Sequence, residues 1–161
     1  AQLVGHPFEY AAIVQAIEVE VDPETGKVSA LKSALADELG QPINPMLLAG
    51  QMEGGTLASM GQTLFEDCEV DEKGRPLNAN FLDYKMATSL DVPEQVVDHV
   101  ICPNPYTAFG AKGGGEISTN TSLPAMVNAV CAATGVRFTE LPITPQKIVA
   151  AWKAGKKNKK G

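Results

Sequence analysis

A chain of 161 residues has the length of one ordinary domain and can bury a core without metal or disulfide staples. Hydrophobic residues make up 44% of it and charged residues 20%, which excludes wholesale disorder, and no apolar run approaches the roughly 18 residues of a membrane span. The net charge of −6 is unevenly placed: all 19 acids precede residue 141, whereas Lys153, Lys156, Lys157, Lys159 and Lys160 crowd the end. An acidic body of this kind argues against a nucleic-acid-binding face. The expected organisation is one domain over residues 1–152 followed by a flexible, solvated Lys-rich tail over 153–161.

In chain order, residues 11–21 are rich in Val and Ile. Ile17, Val19 and Val21 alternate with Glu18 and Glu20, the period-two pattern of a half-buried strand. The Asp, Pro and Gly of 22–27 predict a turn, and 28–36 predicts the returning strand of a β-hairpin. Asn44 and Pro45 form a helix start, followed over 46–66 by Leu57, Met60 and Leu64 at helical spacing. That helix holds Gly50, Gly54, Gly55 and Gly61, which suggests close approach of another helix or a ligand to its backbone. A turn falls at 71–74 and a strand at 95–102, and 103–120 reads as a loop. A helix is expected over 122–134 with Gly135 as its stop, and a last one from Pro145 to about Trp152. The fold class is α+β: an N-terminal hairpin, a Gly-rich central helix, a further strand and two C-terminal helices.

Cys68, Cys102 and Cys131 are too scattered for a disulfide framework or a C-x-x-C metal site, so each reads as a small apolar core residue in a reducing, cytoplasmic compartment. No secretion signal opens these residues. Neither His6 nor His99 has a partner at metal-ligand spacing, and His99 reads as a packed or rim histidine. No residue is assigned as a metal ligand.

Two segments can carry chemistry. In GAKGGGE, residues 110–116, Gly113, Gly114 and Gly115 free the backbone to present N–H groups and Lys112 adds a positive charge, a combination suited to an oxyanion. The spacing is not that of a P-loop. Glu116 follows at once, where a carboxylate can serve as a general base, or stand as a solvated residue after a surface turn. In residues 50–55, GQMEGG, the amide of Gln51 suits the edge of a heterocycle, while Gly54 and Gly55 suit either a ligand or a close helix contact.

The run DELGQPINP, AGQMEGGTLASMGQTLFED, NANFLDYKMATSLDVPE, GAKGGGE with LPAMVNAV, and LPITPQKI resembles the C-terminal part of the large subunit of the molybdenum hydroxylases, the xanthine dehydrogenase and aldehyde oxidase family. The resemblance covers about residues 8–152, with several motifs in the family's order. It implies that the chain is part of a larger molybdopterin-binding domain. It further implies a pyranopterin molybdenum cofactor, with or without a dinucleotide extension, bound jointly with segments outside this chain. Iron–sulfur clusters and FAD would belong to partner domains or subunits. Glu116 holds the place of the family's carboxylate in K-x-x-G-E, and Gln51 that of the pterin-contacting Gln in G-Q-x-E-G. Gly54, Gly55, Lys112, Gly113, Gly114 and Gly115 complete the implied cofactor surface. The sequence departs from the family at Gly114, where Val is usual, at Ile117, where Pro is frequent, and at Ala87, where D-Y-x-x-P has its proline. These departures bear on loop shape and substrate.

The resemblance implies hydroxylation of an aldehyde or a purine-like N-heterocycle with water as the oxygen source. Glu116 is the base, the isolated chain is inactive, and neither nucleic acid nor membrane is a partner. The residues by themselves also admit a non-catalytic assembly module, in which the glycines only pack, and a phosphate-binding domain using the GAKGGGE loop.

Overall fold

A computed structural model describes residues 10–158. Strand β1 (Ala12–Val21) and strand β2 (Val28–Glu38) form the expected hairpin, antiparallel from Ala12 opposite Glu38 to Val21 opposite Val28. The register shifts after Glu18, because Glu18 faces Lys32 while Val19 faces Ala30, which leaves Leu31 as the extra residue of a bulge. The turn is built by Asp22, whose carboxylate accepts from the Glu24 amide at 2.8 Å and the Thr25 hydroxyl at 2.7 Å. Gly26 closes it at φ +75° against the Pro145 carbonyl, where a Cβ would lie only 2.5 Å away.

Helix α1 (Pro45–Leu64) starts as expected: Asn44 Oδ1 accepts from the Leu47 amide at 3.1 Å and Pro45 opens the first turn. Helix α1 lies on the crossover that a parallel pairing requires, and β3 (Glu94–His99) joins β2 in parallel, Lys32 opposite Glu94 and Asp37 opposite His99. The sheet order is β1-β2-β3. Between α1 and β3, Asn78 ties the chain down, accepting from the Glu69 amide and donating to the Asp67 carbonyl.

Helix α2 (Ile117–Thr134) begins five residues before the expected 122 and makes Glu116 its N-cap residue instead of a loop residue. The residues 117–121, ISTNT, have weak helix propensity, and the start is set by packing: Ser118, Ser122, Met126, Val130 and Thr134 form one buried stripe facing α1 and the sheet. Gly135 ends the helix in the left-handed conformation at φ +69°. Helix α3 (Pro145–Asn158) passes beyond Trp152, so positions 153–158 of the expected tail are helical; 159–161 lie outside the described residues. Trp152 Nε1 donates to the Thr134 carbonyl at 2.9 Å, tying α3 to the end of α2.

The helices cover one face of the sheet over two apolar clusters. The larger holds Val28, Met60, Leu64, Met126, Val130, Ile143 and Ile148; the smaller holds Leu35, Leu39 and Met52. A polar belt separates them. Gln15 Nε2 donates to Ser33 Oγ at 2.8 Å and to Thr56 Oγ1 at 3.1 Å, and Ser122 Oγ donates to Gln15 Oε1 at 2.6 Å. The other face of the sheet is bare among the described residues, with Val14 and Val96 exposed beside Ala16 and Ala34. No described helix is long and apolar enough to cross a membrane.

Candidate cofactor-binding groove

The end of β2 and the start of α1 form one wall of an open groove of about 430 Å³, and the glycine loop forms the other. Leu39, Leu48, Gln51, Lys112 and Gly114 all line it, so the structure brings three of the sequence-predicted residues together. A close backbone crossing makes this possible. Gly40 bridges Ala111, the Gln41 amide donates to the Gly110 carbonyl at 2.9 Å, and the Lys112 amide donates to the Leu39 carbonyl at 3.0 Å. Gly40 sits at φ +73°, where a Cβ would collide with the Gly110 carbonyl, and Gly110 at φ +72°, where a Cβ would press on Pro103 at 2.8 Å. Sequence reasoning passed over Gly40, because its partner lies some seventy positions away and nothing local marks it.

The predicted residues fall into two groups. Gly54, Gly113 and Gly115 are exposed, and a Cβ on any of them would meet nothing within 4 Å. Gln51 is exposed with its side-chain amide free of partners among the described residues. Glu116 is exposed, and its carboxylate does not cap its own helix. The amides of Gly113, Gly114 and Gly115 likewise find no acceptor there. These are unspent donors, one amide side chain and one carboxylate on the surface, and of the five residues only Gln51 lines the groove itself.

The other three residues are committed inside the chain. Gly55 lies under α2, where a Cβ would collide with Ser118 Oγ; that hydroxyl donates to the Gln51 carbonyl at 3.3 Å. A Cβ on Gly114 would meet Leu48 Cδ1 at 2.7 Å and Leu39 Cδ1 at 3.0 Å. Lys112, expected to offer a positive charge to an anion, is instead drawn back: Nζ donates to Glu38 Oε2 at 2.6 Å and to the Tyr10 carbonyl at 2.8 Å. Its bond holds the Glu38 carboxyl below the usual carboxylate range, with the Gly40 amide, at 3.0 Å, adding to the effect. The acid beside Glu38 in the chain has its own partner: Asp37, buried, accepts from His99 Nδ1 at 2.8 Å. That pair explains the half-buried His99, and it becomes visible only through the parallel register.

Cys68 and Cys102 are exposed, contrary to the core placement expected of them, and Cys131 is half-buried. Among the described residues no group of three or more His, Cys, Asp and Glu side chains is placed to hold a metal ion. A second cavity of about 500 Å³, lined by Cys68, Asn78, Phe81 and Tyr84, shares no lining residue with the groove.

Residues 2–93 match the family described as Molybdopterin cofactor-binding domain, and the chain belongs to this family, that of the molybdenum-binding subunits of xanthine dehydrogenase-type oxidoreductases. The nicotine 6-hydroxylase large subunit of Paenarthrobacter nicotinovorans is 38% identical over 141 residues, 86% of this chain and 17% of the relative. The xanthine dehydrogenase molybdenum-binding subunit of Escherichia coli O157:H7 is 36% identical over 82% of this chain and 18% of the relative. In crystal structures, the aldehyde oxidoreductase of Desulfovibrio gigas superposes with a TM-score of 0.81 at 32% identity, covering 89% of this chain and 15% of that one. The chain thus spans less than a fifth of the length of these relatives. The 2–93 match ends before the glycine loop and Glu116, which fall within the longer alignments to whole relatives by their coverage.

The residues present fit a pyranopterin. Such a group offers heterocycle edges and oxyanions, and the groove offers the Gln51 amide and the free Gly114 amide, with the free Gly113 and Gly115 amides in the same loop.

Proposed function

We propose that this chain supplies one wall of the molybdenum-cofactor site of a hydroxylase acting on an aldehyde or N-heterocycle, with Glu116 as general base and water as the oxygen source. The observation that carries this reading is the exposed Glu116 carboxylate, set at the head of α2 next to three glycines whose amides are free. When bound, the cofactor supplies the two-electron oxidation. Gln51 would hold the pterin edge through its side-chain amide, and the Gly113 and Gly115 amides would offer donors to its polar atoms. Gly54 leaves room for the ring, while Gly55 and Gly114 let α2 and the loop close on α1. Glu116 Oε accepts the proton released as oxygen passes to the substrate carbon, and returns it to solvent. Electrons leave through iron–sulfur and flavin partners, and the assembled enzyme is cytoplasmic. The phosphate-binding alternative loses its cation, since Lys112 Nζ is held by Glu38.

Glu116→Gln in the full-length subunit tests the reading. Turnover is expected to fall by about 10²–10⁴-fold with molybdenum and pterin content unchanged. Near-normal turnover at full cofactor content refutes the base assignment.

A further inference from the structure

We propose that Asp37 and Glu38, adjacent at the end of β2, are positioning residues that grip both ends of the 99–112 loop and so set where Glu116 stands. The proposal rests on the reading of Glu116 as the base.

Neighbouring residues of a strand point to opposite faces, so two adjacent acids can hold two separate partners. Asp37 points inward, 1% exposed, and takes His99 at the loop's departure; its carbonyl also accepts from the Val100 amide at 2.7 Å. Glu38 points the other way and takes Lys112 at the loop's return. Leu39, the next residue, accepts the Lys112 amide. Three consecutive positions, the last two of β2 and the residue after it, therefore fix where the loop leaves the sheet and where it comes back.

What lies beyond Lys112 makes that grip matter. Only Gly113, Gly114 and Gly115 separate it from Glu116, and their amides form no bonds that would fix the path. Glycine is the residue least able to define a path by itself. Four residues can span up to about 14 Å when extended, far more than the roughly 1 Å tolerance of a working base. Glu116 is thus located by its two flanks: Lys112 on Glu38 on one side, and on the other the first turn of α2, where the Glu116 carbonyl accepts from the Thr119 amide at 3.1 Å and hydroxyl at 2.6 Å and Ser118 sits in the Gly55 notch. The second anchor sits inside a helix interface. The first combines the Lys112 amide bond to the Leu39 carbonyl with Nζ bonds to the Tyr10 carbonyl and to Glu38, and the ion pair, its partners 13% and 22% exposed, is the part a side-chain substitution can remove.

The test uses the cofactor-loaded full-length enzyme complex with Glu38→Gln, Lys112→Met, and the reversed pair Glu38→Lys with Lys112→Glu. Steady-state kinetics, molybdenum content, thermal midpoint and amide hydrogen exchange at Gln41, Asn104 and Lys112 are measured together. Each single variant is expected to lower kcat about 10–100-fold with KM within about twofold, and to speed Lys112 amide exchange at least about tenfold, at unchanged molybdenum content. The reversed pair recovers most of both quantities. His99→Gln is expected to speed exchange at Val100 and to lower kcat in the same direction. A lowered thermal midpoint with kcat intact overturns the proposal, as does faster exchange without loss of kcat, or a loss that the reversed pair does not recover. Glu116→Gln, run alongside, separates the two ideas. If it abolishes turnover while the Glu38 and Lys112 variants keep theirs, the grip alone is wrong. If it keeps turnover, the base reading is wrong, and the positioning proposal falls with it.

Discussion

Gly54 and Gly55 are neighbours on α1, and replacing each with alanine should move stability in opposite directions. In a helix interior alanine is better than glycine by about 1 kcal/mol. At Gly54 nothing lies within 4 Å of the added Cβ, so Gly54→Ala keeps that gain. At Gly55 the Cβ collides with Ser118 Oγ, on a side chain that is 0% exposed. Either the helices part, at about 1–3 kcal/mol for an overfilled interface, or the hydroxyl turns away and loses its bond to the Gln51 carbonyl, about 0.5–1.5 kcal/mol. Set against the propensity gain, Gly55→Ala costs up to about 2 kcal/mol net when the interface opens. For a domain of this size each kcal/mol moves the melting temperature by about 2–4 °C, so Gly54→Ala should raise it by that amount and Gly55→Ala lower it by up to about 8 °C. Urea and thermal denaturation of the 161-residue chain measure both, and Ser118→Gly added to Gly55→Ala should recover part of the loss. If Gly55→Ala stabilises as Gly54→Ala does, the glycine does not serve the α1–α2 contact.

Gln51→Ala in the full-length subunit should weaken cofactor retention by roughly 1–3 kcal/mol, read as lowered pterin occupancy, with the fold of this chain unchanged. Gly114→Val should press on Leu48 and Leu39, both flexible at their ends, and cost about 1 kcal/mol or more; a double-mutant cycle with Leu48→Ala should show coupling, measured by denaturation. Acid should loosen the loop. The Glu38 carboxyl is held below its ordinary value of 4.5, so the pair's contribution is complete above that pH and fades as pH falls through the lowered value. Exchange of the Lys112 amide, corrected for its intrinsic pH dependence, should therefore accelerate on acidification below about pH 4.5, and Lys112→Met should abolish that step.

Much of the architecture was readable because its signals are local. The alternation from Ile17 to Val21, the Asp22 turn, the Asn44-Pro45 start and the Gly135 stop each act within a few residues. The beginning of α2 was not readable, since ISTNT is helical only because Ser118 fits the space left by Gly55. The candidate site was legible in its members, through their resemblance to a known motif order, but not in their division of labour. Nothing near Lys112 in sequence says that its charge turns back to Glu38, 74 positions away, and nothing near His99 points to Asp37, 62 positions away. The second follows from a parallel pairing that a 55-residue gap between β2 and β3 conceals, and the first from the antiparallel crossing of Gly40 and Ala111.

The belt of Gln15, Ser33, Thr56 and Ser122 acts like the teeth of a key. A greasy interface tolerates sliding, because one methyl group substitutes for another at little cost, whereas a carboxamide and three hydroxyls match in only one alignment. Sliding β1 by one residue would carry Gln15 to the bare side of the sheet and leave the buried Ser33 hydroxyl without its partner, at about 1–3 kcal/mol, while Thr56 would keep only the Met52 carbonyl and the Ser122 hydroxyl, and Ser122 only Thr56. Misalignment is thus penalised far more than alignment is rewarded. Thr56 rides on α1 five residues after Gln51, and Ser122 on α2 six residues after Glu116, so the same teeth index the two candidate site residues against each other along their helices.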